Sequence, residues 1–313
     1  MSQKTGTGKY ERLLERCKTL AAIPTAVAHP CEPSALTGAV EAAQAGLIDP
    51  ILVGPAARIE QTAKDANIDL GKLEIVDTSH SADSAKKAVE LVKQGRAEVL
   101  MKGSLHSDEL LAAIVSREGG LRTGRRISHA FVMDVPTYHK VLIITDAAIN
   151  IAPTLEDKVD ICQNAIDLVN SLRHDKTEKP KVAILAAVET ITTKMPATLD
   201  AAALCKMAER GQIKGGILDG PLAFDNAISK QAAETKGIKS AVAGDPDILL
   251  APDLEAGNIL AKQLTFLANA DSAGLVLGAK VPVILTSRAD SVRSRIASCA
   301  VAALVAHARR SQL

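Results

Sequence analysis

The chain keeps returning to one pattern, a short apolar run followed by a polar turn and then a segment of helical spacing. Residues 73–77 (LEIVD) read as a strand, and 81–94 as the helix after it, closed by Gly95. Residues 98–101 (EVLM) lead through Lys102-Gly103-Ser104 into a second helix over 107–116. Further strands are expected at 127–135, 141–145, 182–187, 217–219, 248–251 and 281–286, with helices at 155–172, 199–210, 225–236 and 254–268. A last helix, 290–310, stacks Ile296, Cys299, Ala303, Leu304 and His307 at three- and four-residue spacing. Strands that are apolar along their whole length need cover on both faces, and the strand-then-helix order supplies it. The expectation is an α/β fold with mostly parallel sheets.

The 313 residues leave room for two domains at about 150 residues each. Lys and Arg number 37 against 36 Asp and Glu, so no global field draws the chain to nucleic acid or to an anionic membrane. Aromatic residues make up only 2%, too few for base-stacking platforms. An anionic ligand must then be held by a local site. Cys17, Cys31, Cys162, Cys205 and Cys299 are scattered without a C-x-x-C pair, which disfavours a disulfide framework or zinc site. The polar N-terminus lacks the apolar stretch of a signal peptide, and no run of about 18 apolar residues suggests a membrane span. A cytoplasmic protein is expected.

In open α/β sheets ligands sit beyond the carboxyl ends of strands. The segment MKGSLHSDELL puts Lys102, Gly103, Ser104, His106 and Ser107 between a strand and a helix. Gly103 permits a close turn, Ser107 is a candidate N-cap, and the first-turn N–H groups with Lys102 could cradle an anion. Arg288 follows the strand VPVILTS just before a helix; a guanidinium there can fork onto phosphate and neutralise charge growing on oxygen. A capped helix and a surface Arg are the bland readings of the same residues. Asp146 and Asn150, Asp219 and Asp225, and Gly257-Asn258 also follow strand-like runs. A glycine in the first turns of a helix costs about 1 kcal/mol relative to alanine, so something should approach Gly257 closely. Gly6-Thr7-Gly8-Lys9 fails as a P-loop because Tyr10 stands where Ser or Thr is needed and no strand precedes it.

Taken together, KGSLHSDELL, ISHAFVMDV, TDAAINIAPTLEDK, DGPLAFDNAI, SAVAGDPDILLAPDLEAGNILAK and LTSRADSV resemble the phosphate acetyltransferase/phosphate butyryltransferase family in order and spacing, over about residues 70–310. The resemblance implies a two-domain α/β/α fold of the isocitrate/isopropylmalate dehydrogenase type without bound NAD. Domain I would comprise 1–143 and 288–313, domain II 144–287, with the active site in the cleft between them. It implies a homodimer that interconverts acyl-CoA plus phosphate with acyl phosphate plus CoA, coenzyme A being a substrate and no cofactor or metal being tightly bound. By the same resemblance Arg288 would stabilise phosphate and the developing oxyanion, and Ser287 would bond the acyl carbonyl or the thiol end of CoA. The GSLHS loop, with Gly103, Ser104, His106 and Ser107, matches the region lining the phosphate side, and the strand-end residues Lys102, Asp146 and Asn258 complete the expected phosphate and CoA sites.

One departure concerns the base. Acetyl-specific members of the family carry an Asp seven residues after the Ser, and here that position is Ser294. A thiol with a pKa of about 8.5 is only slightly ionised at neutral pH. Asp290, four residues before Ser294, is the candidate to assist its deprotonation, the competing role being a helix N-cap. Two other functions stay open at this point: a non-catalytic CoA- or acyl-phosphate-binding sensor, and a metal-dependent hydroxy-acid dehydrogenase of the related fold.

Overall fold

The computed structural model describes residues 8–173, 177–287 and 290–311. In chain order the elements begin α1 (Lys9–Cys17), β1 (Ile23–Ala28), α2 (Pro33–Gln44), β2 (Ile48–Gly54), α3 (Ala56–Asp65), β3 (Glu74–Asp77), α4 (Ser81–Lys93), β4 (Val99–Lys102) and α5 (Ser107–Val115). They continue with β5 (Ser128–Asp134), β6 (Leu142–Thr145), α6 (Leu155–Leu172), β7 (Lys181–Leu185), α7 (Pro196–Glu209), β8 (Ile217–Leu222), α8 (Phe224–Ile228) and α9 (Lys230–Thr235). The last are β9 (Ile248–Leu250), α10 (Leu254–Leu267), β10 (Asp271–Leu277), β11 (Val283–Ile284) and α11 (Val292–Arg310). The alternation expected from the sequence is present, and the class is α/β.

Two compact units divide the chain at 125/126 and 272/273, whereas the sequence put the junctions at 143/144 and 287/288. The first unit is discontinuous, 8–125 plus 273–311; the second, 126–272, is continuous. Strand pairing explains the first junction. β5 lies antiparallel to β6, Ala130 opposite Thr145 and Met133 opposite Leu142, and so belongs to the same unit as β6.

In the discontinuous unit the strand order is β3-β2-β1-β4-β11-β10. All of its neighbours run parallel except β10 and β11. β1, β4 and β11 therefore deliver their carboxyl ends to one edge, with Ala28 opposite Lys102 and Ile284 opposite Met101. β4 is buried at every position, and the final helix α11 is buried at most of its positions. α1 is held to α11, the Arg293 guanidinium lying 3.5 Å from the centre of the Tyr10 ring and the Cys17 thiol donating to the Ala300 carbonyl.

In the second unit the order is β5-β6-β9-β7-β8, parallel from β6 onwards. Leu142, Ile144, Leu185, Leu222, Leu249 and Ala261 belong to its core. The helix expected over 225–236 is two, α8 and α9. Ser229 ends the first and caps the second, its hydroxyl accepting the Ala232 amide at 3.2 Å.

Candidate functional site

The shared edge of β1, β4 and β11 gathers most of the residues singled out by sequence. As β4 ends, the Gly103 amide donates to the Ala28 carbonyl (2.8 Å) and the Ser104 amide to the His29 carbonyl (2.9 Å). Gly103 runs so close to the end of β1 that a Cβ there would lie 2.4 Å from the Ala28 oxygen and 2.5 Å from that of His29. No larger residue fits without moving backbone. The Ser104 hydroxyl donates to the His29 carbonyl at 2.7 Å and accepts the Cys31 amide at 3.2 Å, so it ties two loops together. Lys102 sits at the root of this turn and is 5% exposed.

The next helix, α5, is capped differently from the sequence expectation. Ser107 is its first helical residue and His106 its N-cap, because Glu109 reaches back to accept the His106 amide at 3.0 Å. The Glu109 carboxylate also accepts the Ser81 hydroxyl at 2.7 Å, which ties α5 to α4. His106 stays exposed and Ser107 half-buried.

On the β11 side, Arg288 falls outside the described residues, and Ser287 and Asp290 flank it. Asp290 Oδ2 accepts the Ser287 amide at 2.7 Å, while the Asp290 amide donates to the Ser287 carbonyl at 3.1 Å. The N-cap of α11 is Ser291, whose hydroxyl accepts the Ser294 amide at 3.2 Å, so Asp290 is not a helix cap. Burial pushes the Asp290 carboxyl pKa up; the Ser287 amide and the charges of Arg295 and Lys102 pull the other way without cancelling it. The outcome is a partly desolvated carboxyl within electrostatic reach of two cations, whose proton affinity exceeds that of an ordinary Asp. Ser294 is 9% exposed and its hydroxyl lies 3.2 Å from that of Ser291, so no carboxylate stands seven residues after Ser287.

Asp146 and Asn258 belong to the second unit and form a separate cluster. Asp146 Oδ1 accepts the amides of Ala148 and Ile149, and Oδ2 those of His129 and Asn150 together with the Asn150 side chain. Asn258 Nδ2 donates to the Ala147 carbonyl at 2.9 Å. The close approach expected at Gly257 is real, and its partner is backbone: a Cβ there would stand 2.4 Å from the Asp146 carbonyl oxygen. Both side chains thus brace the loop after β6. Asp219 bonds the Gly220 amide, and Asp225 pairs with Lys236 at 3.1 Å.

Arg295 is the residue at this edge that the sequence did not single out. It is 3% exposed, donating from Nη1 to the Thr286 hydroxyl and from Nη2 to the Ser287 carbonyl, both at 3.0 Å. Its position eight residues after Ser287 on a helix carries no motif, so only the fold exposes it. The cysteines are poor nucleophiles: burial pushes the Cys17 thiol up to about 11 and those of Cys205 and Cys299 up to about 12. Among the described residues, no group of three or more His, Cys, Asp or Glu is placed to hold a metal ion.

A sequence model of the family described as phosphate acetyl/butaryl transferase matches residues 80–303, which takes in both sides of this edge. The chain is 61% identical to a phosphate acetyltransferase from Rhizobium meliloti over 97% of its own length and 95% of the relative's. With a phosphate butyryltransferase from Clostridium beijerinckii it shares 42% identity, over 95% of this chain and 97% of that one. A branched-chain phosphotransacylase from Enterococcus faecalis V583 superposes with a TM-score of 0.76 at 30% identity, covering 90% of this chain and 99% of that one. The fold alone extends to a 4-hydroxythreonine-4-phosphate dehydrogenase from Klebsiella pneumoniae, at a TM-score of 0.55 and 12% identity, over 91% of this chain and 100% of that one. Near-complete coverage at such identity, with the KGSLHS segment, Ser287 and Asp290 brought to one sheet edge, leaves one conclusion: the chain is a member of the phosphate acetyl/butyryltransferase family.

Proposed function

We propose that this phosphate acyltransferase moves a short acyl group between coenzyme A and inorganic phosphate by direct attack of the thiol on an acyl phosphate. Both substrates are bound together. Asp290 takes the thiol proton, the sulfur bonds the acyl carbon, and the carbon–oxygen bond to phosphate breaks to release inorganic phosphate. Lys102 and Arg288 would balance the phosphate charge, and Ser287 would bond the acyl carbonyl or the CoA thiol. The backbone around Gly103 and Ser104, with the exposed His106 and the half-buried Ser107, would border the phosphate. Asp146 and Asn258 would act at one remove, by holding the loop after β6.

One observation supports this assignment above the rest. The Asp290 carboxyl is fixed by the Ser287 amide, and burial raises its proton affinity against the pull of Arg295 and Lys102. A base works best when its pKa approaches the working pH, so this shift runs in the useful direction. Proximity and charge stabilisation supply the remainder.

The reading includes a homodimer, and a cytoplasmic location for a chain in which no described helix is long and apolar enough to cross a membrane. The test incubates the protein with phosphate and a panel of acyl-CoAs from acetyl to isobutyryl, following free thiol. Release with at least one member is expected, and the preferred chain length decides between acetyl and butyryl types. Silence across the panel, with CoA still bound, would point to a sensor.

A further inference from the structure

The Ser287 peptide is gripped from two sides. Its N–H is taken by the Asp290 carboxylate at 2.7 Å, and its carbonyl oxygen receives the Arg295 guanidinium at 3.0 Å. The second arm of the guanidinium holds the Thr286 hydroxyl, also at 3.0 Å. Arg288 follows covalently through that same carbonyl, so the start of the Ser287–Asp290 turn is anchored by a side chain that sequence motifs do not mark. Arg295 reaches it along a route that requires a particular residue on another helix. Gly38, in the middle of α2, faces the Arg295 stem, and a Cβ at Gly38 would lie 2.8 Å from Arg295 Cδ. Alanine is the better helix former in such a place, yet here it would push on a buried side chain tethered at its far end.

We propose that Arg295 is a positioning residue for acyl transfer, anchoring the Thr286–Ser287 backbone so that Ser287 and Asp290 meet the substrates in register, and that Gly38 exists to let its side chain through. This rests on the acyltransferase reading for its effect on rate, though its effect on the turn does not. Two cations act on Asp290, Arg295 from α11 and Lys102 from β4. Loss of Arg295 thus removes one opponent of protonation as well as an anchor.

The experiment is a cycle of Gly38→Ala, Arg295→Ala and the double variant, read by steady-state kinetics, thermal unfolding and hydrogen exchange of a peptide covering residues 283–291. Arg295→Ala should lower kcat about 100-fold, the scale of a small misplacement of reacting groups. The acid limb of its rate profile should move to higher pH. Gly38→Ala should leave Tm within a few degrees of wild type, the better helix propensity offsetting part of the clash, and still lose about tenfold in kcat. In the double variant the added methyl has no stem to strike, so it should be no slower than Arg295→Ala alone. Exchange at residues 283–291 should quicken in both single variants. Full kcat in Gly38→Ala, losses that multiply in the double variant, or unchanged exchange would each overturn the proposal. Should Arg295→Ala fail to fold, Gly38→Ala decides alone. A wild-type protein that turns over no acyl-CoA would remove the acyltransferase reading instead, and the exchange measurement would still judge the anchor.

Discussion

After β6, the Asp146 carboxylate accepts the amides of His129, Ala148, Ile149 and Asn150 and the Asn150 side chain. After β11, Asp290 accepts the Ser287 amide, and burial raises its proton affinity in the presence of Lys102 and Arg295. From sequence the two are alike, each an Asp just past an apolar strand. The difference lies in how the oxygens are occupied. A carboxylate whose two oxygens are filled by nearby N–H groups is a loop fastener. One that is partly stripped of water binds a proton more tightly than an ordinary Asp, even with cations pulling the other way.

Four substitutions put that contrast at risk. The largest expected effect is Asp146→Ala, which orphans several buried N–H donors at once. It should reduce unfolding free energy by about 3 to 5 kcal/mol in urea titrations, and an unchanged midpoint would make Asp146 dispensable as a fastener. Asp290→Asn should do the reverse. Its kcat should fall about 100-fold, as for loss of a general base, while Tm at pH 7 holds or rises. Linkage sets the sign. Because the folded pKa is raised, protonation favours the folded state, and ionisation above that pKa costs stability that the amide never incurs. A full rate with an unmoved pH profile would take Asp290 out of the chemistry.

Gly257→Ala tests the fastener from the other helix. The added methyl would meet the Asp146 carbonyl and should cost about 1 to 3 kcal/mol in stability, with kcat per folded molecule little changed. Lys102→Met is the mildest and the most diagnostic. The KM for phosphate should rise about tenfold, the equivalent of 1.4 kcal/mol. The acid limb of the kcat profile should also shift to higher pH, since Lys102 is one of the charges holding the Asp290 pKa down. A shift to lower pH would contradict the arrangement at this edge.

Much of the scaffold could be read from residue patterns, because parallel strands buried on both faces are apolar throughout and their helices are strongly periodic. The 155–172 helix matches α6 at both ends. The first 72 residues were harder. β1 and β2 carry Pro24 and Pro50, which normally argue against a strand that needs its N–H groups. Here Pro24 sits near the start of β1 and contributes its carbonyl, which accepts the Glu98 amide at 2.8 Å. The candidate site was legible in its placement where motifs are local: Lys102-Gly103-Ser104, Ser287 and Asp290 do lie at one edge. Ser107 was misjudged as the cap because a Glu at the third helical position makes His106 a competent one. Arg295 was illegible, since its importance depends on a glycine 257 residues away in sequence passing beside its stem.

The split first unit bears on how the molecule is made. Strand β4 lies between β1 and β11, yet β11 and α11 leave the ribosome only after the whole of residues 126–272. Until they emerge, the Lys102 strand has a bare hydrogen-bonding edge, the sort of exposed rim that invites mispairing and draws chaperones. Residues 126–272 are continuous and can condense first. A chain terminated between residues 273 and 282 would then carry one finished half and one open seam, and degradation, not weak activity, is the fate such a product should meet.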